Sequence, residues 1–276
     1  MHDLMLLCFL LCLASTADGG EIVNGEKVPE GALPYLVSVQ NITGHVCGGF
    51  LISTDFVMTA AHCDKLNPTN VVVGSHNLNK IHKKMRIKFK KCKHGHFQQT
   101  ITGYDIMLLQ LNKRVNFNDR VKPIRLPKRG MTVKEKSECT VAGWGKTRTG
   151  GEQVKELQMV NVSVISLDQC QRVWKKYDGI LPDGVVCAGG YATDKGFCQG
   201  DSGGPLVCGG TAVGIVSFNR GYICDYPNVP NVYTDLSKSQ TASEANMAEG
   251  GNEERNPELE RTKADQILAA IGAMKD

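Results

Sequence analysis

The stretch "CQGDSGGPLVC", residues 198–208, sets Ser202 among glycines, with Asp201 beside it and a cysteine at each end. Gly and Ser gather in turns for ordinary reasons of backbone freedom. A serine hydroxyl becomes a useful nucleophile only when a neighbouring base takes its proton. That base, usually histidine, needs a carboxylate to fix its tautomer and to stabilise the imidazolium. The meaning of this segment therefore depends on what the rest of the chain supplies.

It supplies both groups. "VMTAAHC", 57–63, places His62 at the end of an apolar, strand-like run. "YDIMLLQL", 104–111, opens another apolar run with Asp105. A carboxylate in that position is expected to be buried and to need a partner. Taken singly, these are a structural histidine, a strand cap and a turn serine. The three local contexts together are far more specific than any one.

The surrounding pattern is β. From 35 to 234 short apolar or alternating runs ("YLVSV", "GGFLIS", "NVVVG", "VNVSVI", "TAVGIVSF") stand between Gly, Pro and Asn turns, which predicts an all-β barrel or sandwich. "SLDQCQRVW", 166–174, predicts one short helix with Ser166 as N-cap. The polar, proline-containing segment 112–128 divides the pattern into two halves of similar size.

The ends differ in character. Residues 4–13, "LMLLCFLLCL", form an apolar run too short to span a bilayer. Small residues follow, so a signal peptide cleaved after Ala17 or Gly19 is expected, with 1–19 as the preferred extent. No later stretch is long and apolar enough to cross a membrane. Residues 241–276 are acidic, lack aromatics and lose the strand rhythm, which predicts a largely disordered tail.

Eleven cysteines fit a secretory, oxidising compartment. Cys8 and Cys12 leave with the signal, and the remaining odd number leaves one thiol over. No paired CxxC unit supports a metal site, and nothing calls for a cofactor. Residues 22–240 carry 28 Lys or Arg against 17 Asp or Glu, an excess of 11 positive charges. The densest run, "KIHKKMRIKFKKCKHGH" at 80–96, holds eight Lys or Arg and three His. Its period-2 apolar residues Met85, Ile87 and Phe89 predict a strand with cations outward, attractive to polyanions such as sulfated glycans. No recognition motif for nucleic acid accompanies it. Asn41 and Asn161 head two N-glycosylation sequons.

At this point the sequence resembles the trypsin- and chymotrypsin-like serine proteases. "TAAHC" (59–63), "DIMLLQL" (105–111) and "GDSGGPL" (200–206) match that family's three signatures in its order, and "IVNG" (22–25) and "GWG" (143–145) match two more. The likeness covers 22 to about 238. It implies an all-β fold of two six-stranded antiparallel barrels with the active site between them, in a protease domain 22–240. It implies Ser202 as nucleophile, His62 as base and Asp105 as its orienting carboxylate. It implies an oxyanion hole from the N–H groups of Gly200 and Ser202. Ser217, Phe218 and Asn219 match the strand that pairs with substrate backbone. Gly196 matches the floor of the pocket for the residue before the cut bond (P1), and Asn219 and Asn231 match its walls. The family's disulfide pattern joins Cys47 to Cys63, Cys139 to Cys208, Cys170 to Cys187 and Cys198 to Cys224, leaving Cys92.

The resemblance also gives Asp201 a task, since in this family a new N-terminal amine, here that of Ile22, inserts to pair with it. No Lys or Arg precedes Ile22; a Gly20-Glu21 dipeptide does. That is similar to granzymes and mast-cell proteases, which a dipeptidyl peptidase activates in granules, and the net positive charge agrees with storage on anionic proteoglycan such as heparin. Asp194 stands two residues before the pocket-floor position. A preference for small or medium uncharged P1 residues is therefore expected rather than Lys or Arg. The expectation is a secreted or granule-stored monomeric endopeptidase acting on protein or peptide substrates. A binding protein on the same scaffold and an inert isoform are the competing readings. In place of the family's C-terminal helix the chain has "DLSKSQTASEAN", which is expected to cost stability.

Overall fold

The computed structural model describes residues 22–238 except Arg129 and Pro227. The expected signal, activation dipeptide and acidic tail lie outside the described residues, as does most of the segment standing where the family has its last helix.

A two-residue strand β1 (Glu26–Lys27) comes first, and then six strands close into a barrel: β2 (Leu36–Asn41), β3 (Gly44–Leu51), β4 (Phe56–Thr59), β5 (Asn70–Val73), β6 (Arg86–Lys93) and β7 (Met107–Leu111). Their order around the barrel is β2-β3-β4-β7-β6-β5, and β2 pairs with β5 to seal it. Both faces of its strands carry large apolar residues. Val37, Val39, Phe50, Leu51, Val57, Met58, Val71, Leu108 and Leu109 are all buried, and such burial is worth roughly 1.5–3 kcal/mol per side chain. A second set of six follows: β8 (Glu138–Gly143), β9 (Gln158–Ile165), β10 (Val185–Ala188), β11 (Pro205–Cys208), β12 (Thr211–Phe218) and β13 (Val232–Asp235). It runs β9-β10-β13-β12-β11-β8 and returns through β8–β9 pairing, with β1 added along β9. The expected two six-stranded barrels are the architecture found.

Helix α1 spans Leu167–Lys175. Ser166 takes the N-cap position, but its hydroxyl makes no capping bond. The helix is held instead by packing and covalent linkage: Val173 and Trp174 are buried, Trp174 Nε1 donates to Pro230 O at 3.0 Å, and Cys170 is bonded to Cys187. Three further disulfides join Cys47–Cys63, Cys139–Cys208 and Cys198–Cys224.

Residues Arg86–Lys93 of the basic run become β6, as the alternation of Ile87 and Phe89 predicts, while Met85 falls in a 3₁₀ turn, Lys83–Met85, just before it. Ile87 is buried, while Arg86, Lys88, Lys90, Lys91 and Lys93 are exposed along the strand. Two of those cations are spoken for, since Lys91 and Lys93 both bind the Asp64 carboxylate, at 2.7 and 3.0 Å. Their hydrogen bonds hold that carboxyl below its ordinary range. Arg86 reaches inward to Gln40 and Asn70. No helix among the described residues is long and apolar enough to cross a membrane.

Candidate active site

The site forms where the two barrels meet. β4 ends at Thr59, and the chain tightens into a 3₁₀ turn, Ala61–Leu66, that carries His62. The Cys47–Cys63 bridge ties that turn to β3. Asp105 lies just before β7, after Tyr104, whose φ of 56° is rare for a residue with a side chain. The bend is closed by Ile106 N donating to Tyr104 O at 2.8 Å, and it turns the carboxylate inward, where Asp105 is 1% exposed.

The buried carboxylate is well satisfied. Its Oδ1 accepts the His62 backbone N–H at 2.8 Å, and its Oδ2 accepts His62 Nδ1–H at 2.7 Å. The same Oδ2 accepts the Ser217 hydroxyl at 2.6 Å, from β12 of the other barrel. Thr234 of β13 donates its hydroxyl to the Asp105 main-chain carbonyl at 3.2 Å. With Nδ1 carrying the proton, Nε2 of His62 is left as the acceptor.

Ser202 comes from the second barrel, on the turn entering β11. Its backbone O accepts Gly48 N–H from β3 at 2.8 Å, so the turn is clamped against the first barrel. Gly203 makes the close approach possible. It has φ +81°, and a Cβ there would meet Gly48 O at 2.7 Å and run into the Thr59 hydroxyl. Most amides of the turn are engaged: Asp201 N donates to Cys198 O, Gly203 N to Val216 O and Gly204 N to Asp201 O. Those of Gly200 and Ser202 have no acceptor among the described residues. Gly200 has φ +104°, a conformation open only to glycine.

Behind Gly200 runs a buried relay that the sequence did not announce. Gly200 O can only accept, so His45 Nε2 donates to it, at 2.9 Å. His45 Nδ1 accepts from Ser38 Oγ at 2.8 Å, and Gln40 Nε2 donates to Ser38 at 3.0 Å. Desolvation pulls the His45 pKa down to about 4, which keeps the ring neutral and able to play both parts.

Asp201 is fully buried and directs its carboxylate to two backbone N–H groups, those of Gly145 at 2.8 Å and Cys198 at 2.9 Å. No cation pairs with it among the described residues, and burial pushes its pKa up to about 7. The Ile22 side chain is also fully buried, packed in the second barrel's core with Val141, Phe197 and Tyr233.

The remaining expected site residues fall around the Cys198–Cys224 bridge. Gly196 is buried and Asp194 is exposed. Ser217 turns its hydroxyl to Asp105, and Phe218 packs edge-on against Trp174. Asn219 donates its amide to Ile223 O at 3.1 Å. Asn231 is fully buried and reaches the Tyr226 hydroxyl at 3.4 Å. His45, Ser38, Thr234 and Tyr226 escaped sequence reasoning. Only His45, in "GHVCGG" beside Cys47, stood close enough to an expected site residue to be noticed.

This geometry has known counterparts. The trypsin family model matches residues 22–242. Duodenase-1 of Bos taurus is 35% identical, covering 84% of this chain and 92% of its own length. Granzyme B(G,H) of Mus musculus is 38% identical, with 85% and 94% covered. Among solved structures, a mutant of human heparin binding protein superposes with a TM-score of 0.67 at 35% identity, covering 78% of this chain and 92% of that one. The chain belongs to the trypsin family of serine endopeptidases.

Proposed function

We propose that this endopeptidase cuts peptide bonds through an acyl-enzyme carried by Ser202. His62 Nε2 takes the serine proton as the hydroxyl attacks the scissile carbonyl, then passes it to the leaving amine. Asp105 holds the ring in the required tautomer. The Gly200 and Ser202 N–H groups receive the developing oxyanion, a role in which one donor contributes about 2.7–4 kcal/mol. The observation that carries this reading is the Asp105–His62 bond set beside a turn with those two amides free. Labelling of protein beginning at Ile22 by a fluorophosphonate probe, abolished in Ser202→Ala, tests it. An unlabelled, folded protein would overturn it.

Activation follows from Asp201. A buried ionised carboxylate without a counter-charge is costly. The Ile22 amine, freed when Gly20-Glu21 is removed, supplies the charge and fixes the turn that bears Gly200. The P1 preference is for small or medium uncharged side chains: Gly196 brings no carboxylate to the pocket floor, and Asp194, two residues earlier, is exposed. The expected signal peptide, Asn41 and Asn161 as glycan acceptors, and the granzyme relative support a secreted or granule-stored protein.

A second reading, binding of heparin-like polyanions, is favoured by β6 and by the likeness to heparin binding protein. Lys83, Lys84, Lys88 and Lys90 supply the cations, and the two readings are compatible. Heparin-column retention without fluorophosphonate labelling would leave binding as the whole activity.

A further inference from the structure

Around Gly196 the structure holds a residue with no assigned part. A Cβ at position 196 would lie 2.8 Å from Tyr226 Cζ, and closer still to the Tyr226 hydroxyl and to Asn231 Nδ2. The base of the pocket is therefore filled, and what fills it is a phenol from the loop between Cys224 and β13. Tyr226 donates its hydroxyl to Phe197 O at 2.8 Å and accepts weakly from Asn231 Nδ2. Its ring packs against Val23 and the Cys198–Cys224 bridge. Its backbone φ is 44°, a conformation costly for a residue with a Cβ, so the surrounding contacts hold the ring in place at a price in strain.

We infer that Tyr226 sets the depth of the P1 pocket, restricting cleavage to peptide bonds that follow short, uncharged side chains of about the size of alanine, serine, threonine or valine. This rests on the protease reading and on Gly196 as the pocket floor, and it deepens both. A longer side chain entering toward Gly196 meets the phenol and the Asn231 amide before it reaches the floor. A cationic P1 group would be buried against two neutral dipoles, with the nearby Asp201 carboxylate already committed to the Ile22 amine, and an anionic one would find the tyrosine proton already given to Phe197 O. Asn219 is a lesser determinant, because its amide is turned back to Ile223 within its own loop.

Tyr226→Gly is the informative change, because glycine accepts φ 44° without strain and removes the whole ring. The readout is kcat/KM for matched peptides differing only at P1, normalised to fluorophosphonate-titrated sites. Each methylene a pocket admits or refuses is worth about 10–200-fold. The Phe-to-Ala ratio is expected to rise at least about tenfold in Tyr226→Gly, and Leu is expected to gain a few-fold in Tyr226→Phe, which loses only the hydroxyl. Asn219→Gly is expected to move the ratio less than Tyr226→Gly. The assignment is overturned if native protein cleaves after Phe or Arg as readily as after Ala, if Tyr226→Gly leaves the ratio within about twofold, or if Asn219→Gly moves it more. Absence of labelling in the native protein would sink the protease reading and this inference with it; labelling with the wrong P1 profile sinks only the inference.

Discussion

The two barrels share a plan but solve different problems. The first is continuous ladder around a packed core, with one disulfide, and it contributes His62 and Asp105 from positions at strand ends. The second has three disulfides, and much of its site is built from loops. Non-glycine residues with left-handed backbones gather there: Ala192, Tyr222, Tyr226 and Asn228 all lie in the segments around Gly196. Buried polar atoms without partners also occur there, at Asn231 Oδ1 and Tyr233 Oη. His62 and Asp105 stand where ladder strands end or begin, whereas the segments around Gly196 are strained loops pinned by covalent bridges.

The largest test of this contrast removes the reacting groups. Ser202→Ala is expected to lower kcat by about 10⁶, and Asp105→Asn by about 10⁴. Adding His62→Ala to Ser202→Ala should cost almost nothing more, because residues that act as one unit do not add. Independent, multiplying losses in a steady-state assay would mean that the two barrels do not cooperate in one step.

Asp201 gives a pH test with a defined sign. Its folded pKa of about 7 exceeds the ordinary aspartate value, so the unprocessed fold favours the protonated form. That contribution is fully present below pH ~4 and is lost as pH rises through about 7, a difference on the order of 4 kcal/mol. Pairing with the Ile22 amine should relieve the loss. Protein beginning at Ile22 is therefore expected to melt higher than the longer chain at pH 8, with the gap narrowing toward pH 4. A gap independent of pH would sink the pairing. His45 acts in the opposite direction: its lowered pKa gives stability present above pH ~6.5 and lost as pH falls through about 4.

The covalent ties should also rank. Cys139–Cys208 closes 69 residues and Cys47–Cys63 closes 16. By loop entropy their removal as Cys→Ala pairs costs about 4 and about 3 kcal/mol, a gap of about 1 kcal/mol readable by urea denaturation. Reversal of the order would show that strain or contacts outweigh chain entropy. The smallest effect is expected on the first barrel's outer face. Converting Lys83, Lys84, Lys88 and Lys90 to Gln should shorten heparin-column retention and leave peptide hydrolysis within about twofold; equal retention would remove β6 from the polyanion reading.

What could be read in advance follows the same division. "TAAHC", "DIMLLQL" and "GDSGGPL" each hold their pattern within a few residues, and strand alternation is a local property, so the barrels and the pairing of His62 with Asp105 were legible. Ser166 marked the right helix start, although packing of Trp174 rather than a cap bond holds it. Lys91 and Lys93 looked free in the sequence because their partner, Asp64, approaches only when β6 folds beside the His62 turn. Tyr226 gave no signal at all. Its part depends on a loop path that brings it beside Gly196, thirty positions earlier in the chain, and no periodicity encodes that.

The bonds around Asp105 have one more consequence. Two of the donors to its carboxylate belong to His62 of the first module and the third to Ser217 of the second. On the proposed mechanism the cutting centre is thus an interlock, present only once both modules have closed on each other. A copy caught halfway through folding lacks it.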